Sequence, residues 1–164
     1  RFRFQQTRCN IAPGAGRAGG DFMFDTLYSQ VGAVFTVIVV AFAFLKGDEP
    51  EKIGGAVYLL AWFASMLVQD DTKLHGVQWG MFAIDTLGLV VYGALAWKSR
   101  RAWPVWVSAL QLLAVMSHIM SMVDIRPPAA SFYTVINLAS YGILVALAVG
   151  TFWAWQERKA AGLE

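Results

Sequence analysis

VQWGMFAIDTLGLVVYGALAW, residues 77–97, decides the fold of this chain, because its run of apolar residues is interrupted by one ionisable side chain, Asp85. At the 1.5 Å rise of an α-helix this stretch is about 31 Å long, which matches the hydrocarbon thickness of a bilayer. Comparable stretches lie on either side of it, at about 26–46, 52–69, 103–123 and 130–156. The sequence therefore predicts an all-α fold, an integral membrane bundle of five transmembrane helices. The second stretch is the shortest, and if it is re-entrant the number of spans falls to four.

Composition agrees. The chain of 164 residues is 57% hydrophobic and 15% charged, with a mean hydropathy of +0.51, whereas a soluble globular chain carries about 25% charged residues. A net charge of +2, with the lysines and arginines confined to the connections, excludes a nucleic-acid surface. The partner implied by this composition is the lipid bilayer.

Charge also predicts an orientation. With five spans, the connections after the first and third helices and the C-terminus share a side. That side carries Lys46, Lys52, Lys98, Arg100, Arg101, Arg158 and Lys159, against Lys73 and Arg126 on the other. Seven against two puts the C-terminus in the cytoplasm and the N-terminus in the periplasm of a bacterial inner membrane. Without the second span the count is five against four, which discriminates nothing and so favours five spans. Trp97, Trp103, Trp106, Trp153 and Trp155 fall at the same ends and read as an interfacial belt.

Residues 1–22 break the charge pattern, since Arg1, Arg3, Arg8 and Arg17 would all lie outside. This segment also holds Cys9 and lacks the hydrophobic run of a signal peptide. Gly19 and Gly20 are encodable by a purine-rich GGAGGN shortly before a Met23 codon, as a bacterial ribosome-binding site is. The expectation is a non-native or mistranslated, disordered leader over 1–22 and a single polytopic membrane domain over 23–164. Removing the leader removes the single cysteine, and thiol chemistry with it.

Boundary signals fit the helices. Asp25 is placed to cap the first helix and Asp48 the second, with Glu51 at capping-box spacing and Pro50 in the first turn. Pro104 sits in the first turn of the fourth helix, and Pro127 with Pro128 separates the fourth from the fifth.

Candidate functional residues are the polar side chains forced into the membrane. Asp85 is about 20 Å from the basic side at helical rise and His118 about 22 Å, with Ser65 and Asn137 near the same depth. Stripes of polar, aromatic and small residues recur on one face of each helix: Gln78, Asp85 and Tyr92; Gly55, Tyr58, Trp62, Ser65 and Gln69; Ser108, Gln111, His118 and Ser121; Tyr133, Asn137, Ser140 and Tyr141. Such stripes line the inner seam of a membrane bundle. The candidate binding layer is Asp85, His118, Asn137, Gln111, Tyr141 and Ser65. Its functional reading is a proton-sensitive pair or polar pocket, and its structural reading is interhelical hydrogen bonding that fixes register.

Other chemistry is excluded by pattern. The sequence has no Gly-rich phosphate loop, HExxH, GxSxG or CxxC, so no catalytic residue is named and no enzyme is predicted. His75 beside Asp70 and Asp71 offers too few fixed ligands for a metal site. Met116, Met120 and Met122 surround His118 in sequence, yet a bis-histidine haem lacks its second transmembrane His, so no metal or cofactor is expected. Two functions remain. One is a non-enzymatic accessory or scaffold subunit, associating with itself or a larger membrane complex through Gly32, Thr36, Gly54, Gly55, Gly142 and Gly150. The other is a small transporter or ligand-binding protein using the Asp85 and His118 layer.

Overall fold

A computed structural model describes residues 27–68, 79–123 and 129–163. The leader over 1–22, the Asp25 cap, His75 with its acidic neighbours, Gln78 and the Pro127–Pro128 pair lie outside the described residues. Five α-helices follow one another: α1 (Leu27–Lys46), α2 (Glu49–Val68), α3 (Trp79–Ser99), α4 (Trp103–Met122) and α5 (Ala129–Ala160). Among the described residues there is no strand. Four helices are long and apolar enough to cross a membrane: α2, α3, α4 and the Thr134–Ala160 part of α5.

Local chemistry sets the boundaries. α2 begins three residues before the expected 52 because Pro50 fits its first turn, and it runs unbroken for 20 residues, so it is a full-length helix and not a re-entrant hairpin. Glu51 Oε2 accepts the Asp48 backbone N–H at 3.0 Å, which is the returning half of a capping box. The Asp48 carboxylate is engaged elsewhere, by Arg101 and Arg158. Between α1 and α2, a Cβ on Gly47 would overlap the Ala43 carbonyl oxygen and lie 2.6 Å from the Glu51 Cβ, so the tight reversal needs glycine. α3 ends where Arg100 turns left-handed at φ 53°, and Pro104 lies in the first turn of α4. α5 runs 32 residues, past the expected 156. It closes in a Schellman turn, with Gly162 at φ +71°, Gly162 N–H donating to the Lys159 carbonyl and Leu163 N–H to the Arg158 carbonyl.

Each helix packs against its neighbours in sequence, α5 returns to close on α1, and α2 touches α5 across the middle. Short connections make successive helices antiparallel, so the α1–α2 and α3–α4 turns and the C-terminus of α5 share one end. That arrangement puts the basic connections together, here called the basic end. Val39, Ala43, Tyr92, Leu95, Trp103, Val107, Ile143, Leu144 and Leu147 form the core. Large apolar side chains such as Leu45, Leu60, Leu67, Leu87 and Leu138 point outward, as on a bundle solvated by lipid rather than water.

Small residues make this close packing. Trp103 is 6% exposed, wedged between Gly54 of α2, where a Cβ would lie 2.5 Å from its ring, and Gly150 of α5, where a Cβ would overlap it. Trp103 is therefore a core residue and not part of an interfacial belt, whereas Trp97, Trp106 and Trp153 are exposed at the basic end as expected. Gly55 faces Ala43, Gly142 faces Leu110, Gly32 faces Tyr141, and Thr36 is buried. Of the six small positions expected to dock a partner, Thr36, Gly54, Gly55 and Gly150 are buried, while Gly32 and Gly142 are half-buried against Tyr141 and Leu110.

The contrast between two glycines is testable. A methyl on Gly150 must displace the indole of Trp103, while a methyl on Gly93 meets nothing within 4 Å. Gly150→Ala is expected to lower stability by about 1–3 kcal/mol through overpacking. Gly93→Ala is expected to be neutral or to gain up to about 1 kcal/mol. Thermal unfolding of both variants in detergent, followed by circular dichroism, measures the difference.

Candidate functional site

Asp85 lies 14 residues before the end of α3 and His118 lies 15 residues after the start of α4, which places both about 21–22 Å from the basic end on adjacent antiparallel helices. His118 Nε2 lies 2.9 Å from Asp85 Oδ2, within hydrogen-bond distance. The Gln111 side-chain amide donates to the other carboxylate oxygen, Oδ1, at 2.8 Å and to the Asp85 backbone carbonyl at 3.2 Å. Both oxygens of the acid are thereby met from α4. Gly88, one turn below Asp85, makes room: a Cβ there would lie 3.3 Å from the Gln111 amide nitrogen. Phe82, one turn above, presents its ring to the imidazole edgewise at 6.3 Å between centroids.

The cluster is enclosed without being sealed. The side chain of His118 is 7% exposed and that of Asp85 22%. Met116 and Met120 lie on the exposed face of α4, so they do not share the buried face of His118.

The other candidate residues are distributed differently. Tyr141 of α5 packs against α1, its hydroxyl beside Gly32 and its ring 6.4 Å from that of Phe35. The hydroxyl of Tyr58 on α2 reaches the Ser140 carbonyl at 3.5 Å and the Thr36 side chain. Asn137 is exposed and Ser65 is half-buried. The single layer expected from helical depth is therefore two groups, Asp85–Gln111–His118 between α3 and α4, and a tyrosine-rich contact among α1, α2 and α5. Ser108, Ser121, Ser140, Thr86 and Thr151 turn back onto carbonyls one turn earlier in their own helices, which satisfies each hydroxyl without a second helix.

A further polar cluster, at the basic end, did not stand out in the sequence. Glu51 is 0% exposed, and its Oε1 accepts the Trp103 indole N–H at 2.7 Å and the Arg101 guanidinium at 3.2 Å. Arg101 also donates to Asp48 at 2.6 Å, and Arg158 donates to Asp48 and, at 2.6 Å, to the Lys46 carbonyl. Higher in the bundle the buried Tyr92 hydroxyl donates to the Gly54 carbonyl at 3.1 Å. Among the described residues every buried side-chain nitrogen and oxygen has a hydrogen-bond partner. The sequence signal for this cluster is the Asp48–Glu51 spacing, which marks a local helix cap and here also recruits α4 and α5.

Comparison with known proteins finds no matching family model and no curated protein or solved structure of significant similarity. The side-chain geometry alone carries the functional reading.

Glu51 gives the sharpest structural test at the basic end. Glu51→Ala leaves the Trp103 N–H and Arg101 without their acceptor and is expected to cost about 2–3 kcal/mol. Glu51→Gln keeps an acceptor for the indole and is expected to cost about half as much. Thermal unfolding midpoints in detergent compare the two; a Glu51→Gln variant as stable as the wild type would mean that the side chain contributes by volume and not through its charge.

Proposed function

We propose that the chain is a small, non-enzymatic protein of the bacterial inner membrane whose working element is the Asp85–Gln111–His118 cluster, a proton-responsive binding site inside the bundle. The observation that carries this reading is the 2.9 Å approach of His118 to an aspartate that α4 engages on both oxygens, about 21–22 Å from the basic end of the helix pair. With a neutral imidazole the cluster bears one negative charge; taking up a proton converts it to a neutral ion pair. Because net charge is costly in a low-dielectric interior, a proton or a small cation is the class of ligand that suits the cluster.

In this reading α1 crosses as the fifth span, the basic end faces the cytoplasm, and the N-terminus faces the periplasm. The convergence of Lys46, Lys98, Arg100, Arg101, Arg158 and Lys159 at one end supports that orientation through the positive-inside rule. Gly54 and Gly55, two of the small positions expected to dock a partner of an accessory or scaffold subunit, are used in packing within the bundle, and this favours the polar cluster as the working element.

Asp85→Asn and His118→Ala separate the two readings. In vesicles with the purified protein, the wild type is expected to take up a proton or move a small cation on acidification. Both variants are expected to lose this response while keeping their helicity. A stoichiometric partner that co-purifies equally with the wild type and both variants, in the absence of any proton response, would replace this proposal with the scaffold reading.

A further inference from the structure

A groove of about 700 Å³ runs along the outside of the α4–α5 pair, starting at the basic end and independent of the Asp85 cluster. Its mouth carries Arg100, Arg101 and Glu157; its walls are the exposed indoles of Trp106 and Trp153; its floor is Leu110, Ala146 and neighbouring small or aliphatic residues of α5. From Gly142 to Glu157 the α5 wall spans 15 helical steps, about 22 Å at helical rise. Half of a full bilayer, headgroups included, is about 20–22 Å. The groove therefore has the length of one lipid monolayer, with its charged mouth at headgroup level and its apolar floor reaching the bilayer middle.

The charges at the mouth are not equivalent. Arg101 is committed to Asp48 and Glu51, and its second guanidinium nitrogen is also 3.9 Å from Glu157. Arg100 makes no ion pair among the described residues and is exposed. It is held at the groove by a left-handed backbone, φ 53°, which a non-glycine residue adopts at some cost. Glu157, exposed and opposite in sign, disfavours a multiply charged anion and leaves room for a single negative charge at Arg100. Two tryptophans at the rim have the amphipathic character that suits the headgroup boundary.

We propose that this groove is a binding site for one anionic phospholipid, its phosphate at Arg100 and one acyl chain along the floor between Trp106 and Trp153. The site rests on the bundle lying in a membrane and not on which side the basic end faces. A zwitterionic lipid fills the same floor without the net charge, so the site is selective by headgroup and not by chain.

The test uses the full chain in detergent micelles supplemented with phosphatidylglycerol or phosphatidylcholine at equal concentration, with retained lipid counted by native mass spectrometry. The wild type is expected to retain phosphatidylglycerol in preference. Arg100→Gln is expected to reduce that preference about fivefold, the effect of one charge at the membrane surface. Ala146→Phe, which fills the floor, is expected to reduce retention of both lipids. Thermal unfolding establishes that each variant is folded, and if Ala146→Phe fails to fold, Arg100→Gln alone decides. Equal retention of the two lipids by the wild type, or an unchanged preference in folded Arg100→Gln, would overturn the proposal. Competition by inorganic phosphate alone would also overturn it, by reducing the site to a surface anion contact.

Discussion

A carboxylate placed among helices that lipid surrounds has no water to turn to, so donors from other helices must meet it. Among the described residues two acids, Glu51 and Asp85, face that constraint and meet it in the same way. Glu51 is reached by Trp103 and Arg101, and Asp85 by Gln111 and His118. Trp103, Gln111 and His118 belong to α4 and Arg101 to the turn just before it, so α4 is tied to α2 at the basic end and to α3 about 20 Å higher. Apolar packing holds the helices side by side, but interhelical contacts between aliphatic faces gain little in a solvent of acyl chains. The polar ties choose the register.

Trp103 shows how the levels connect. Its indole N–H needs an acceptor and finds Glu51; its ring needs space and finds it because residues 54 and 150 have no side chain. The Asp48–Glu51 cap that starts α2 thus also anchors the start of α4, and Arg158 on Asp48 brings in the end of α5. Three helix ends are joined through two adjacent acids. Arg100, which takes no part in this network, lies beside the α4–α5 groove.

Much of this was legible in sequence because hydrophobic length and charge placement are physical quantities that need no partner to be read. The five helices lie within about four residues of their expected bounds, and the depth count put Asp85 and His118 at one level on neighbouring helices, where the structure pairs them. Depth alone does not say which helices are adjacent. Tyr141 therefore counts toward the same layer in sequence but packs on α1, and Asn137 turns outward. Trp103 resembled a belt residue for a related reason, since an indole at a helix end satisfies the interfacial pattern whichever way it points, and only the facing glycines turn it inward. The small residues looked available to partners because their use inside the bundle depends on the rotation of each helix, which hydropathy this uniform leaves undefined.

The central claim is that Asp85 and His118 are hydrogen-bonded across the α3–α4 interface within the bilayer. Nitrogen-15 NMR of the histidine side chains, in lipid bilayers, tests it most directly, because the chain has only two histidines to assign, His75 and His118. The expected result is that the His118 Nε2 signal carries the shift of a carboxylate-bonded imidazole and moves when Asp85 is replaced by asparagine, while His75 does not move. A His118 signal that is the same with and without the Asp85 carboxylate would contradict the pairing and, with it, the proposed site.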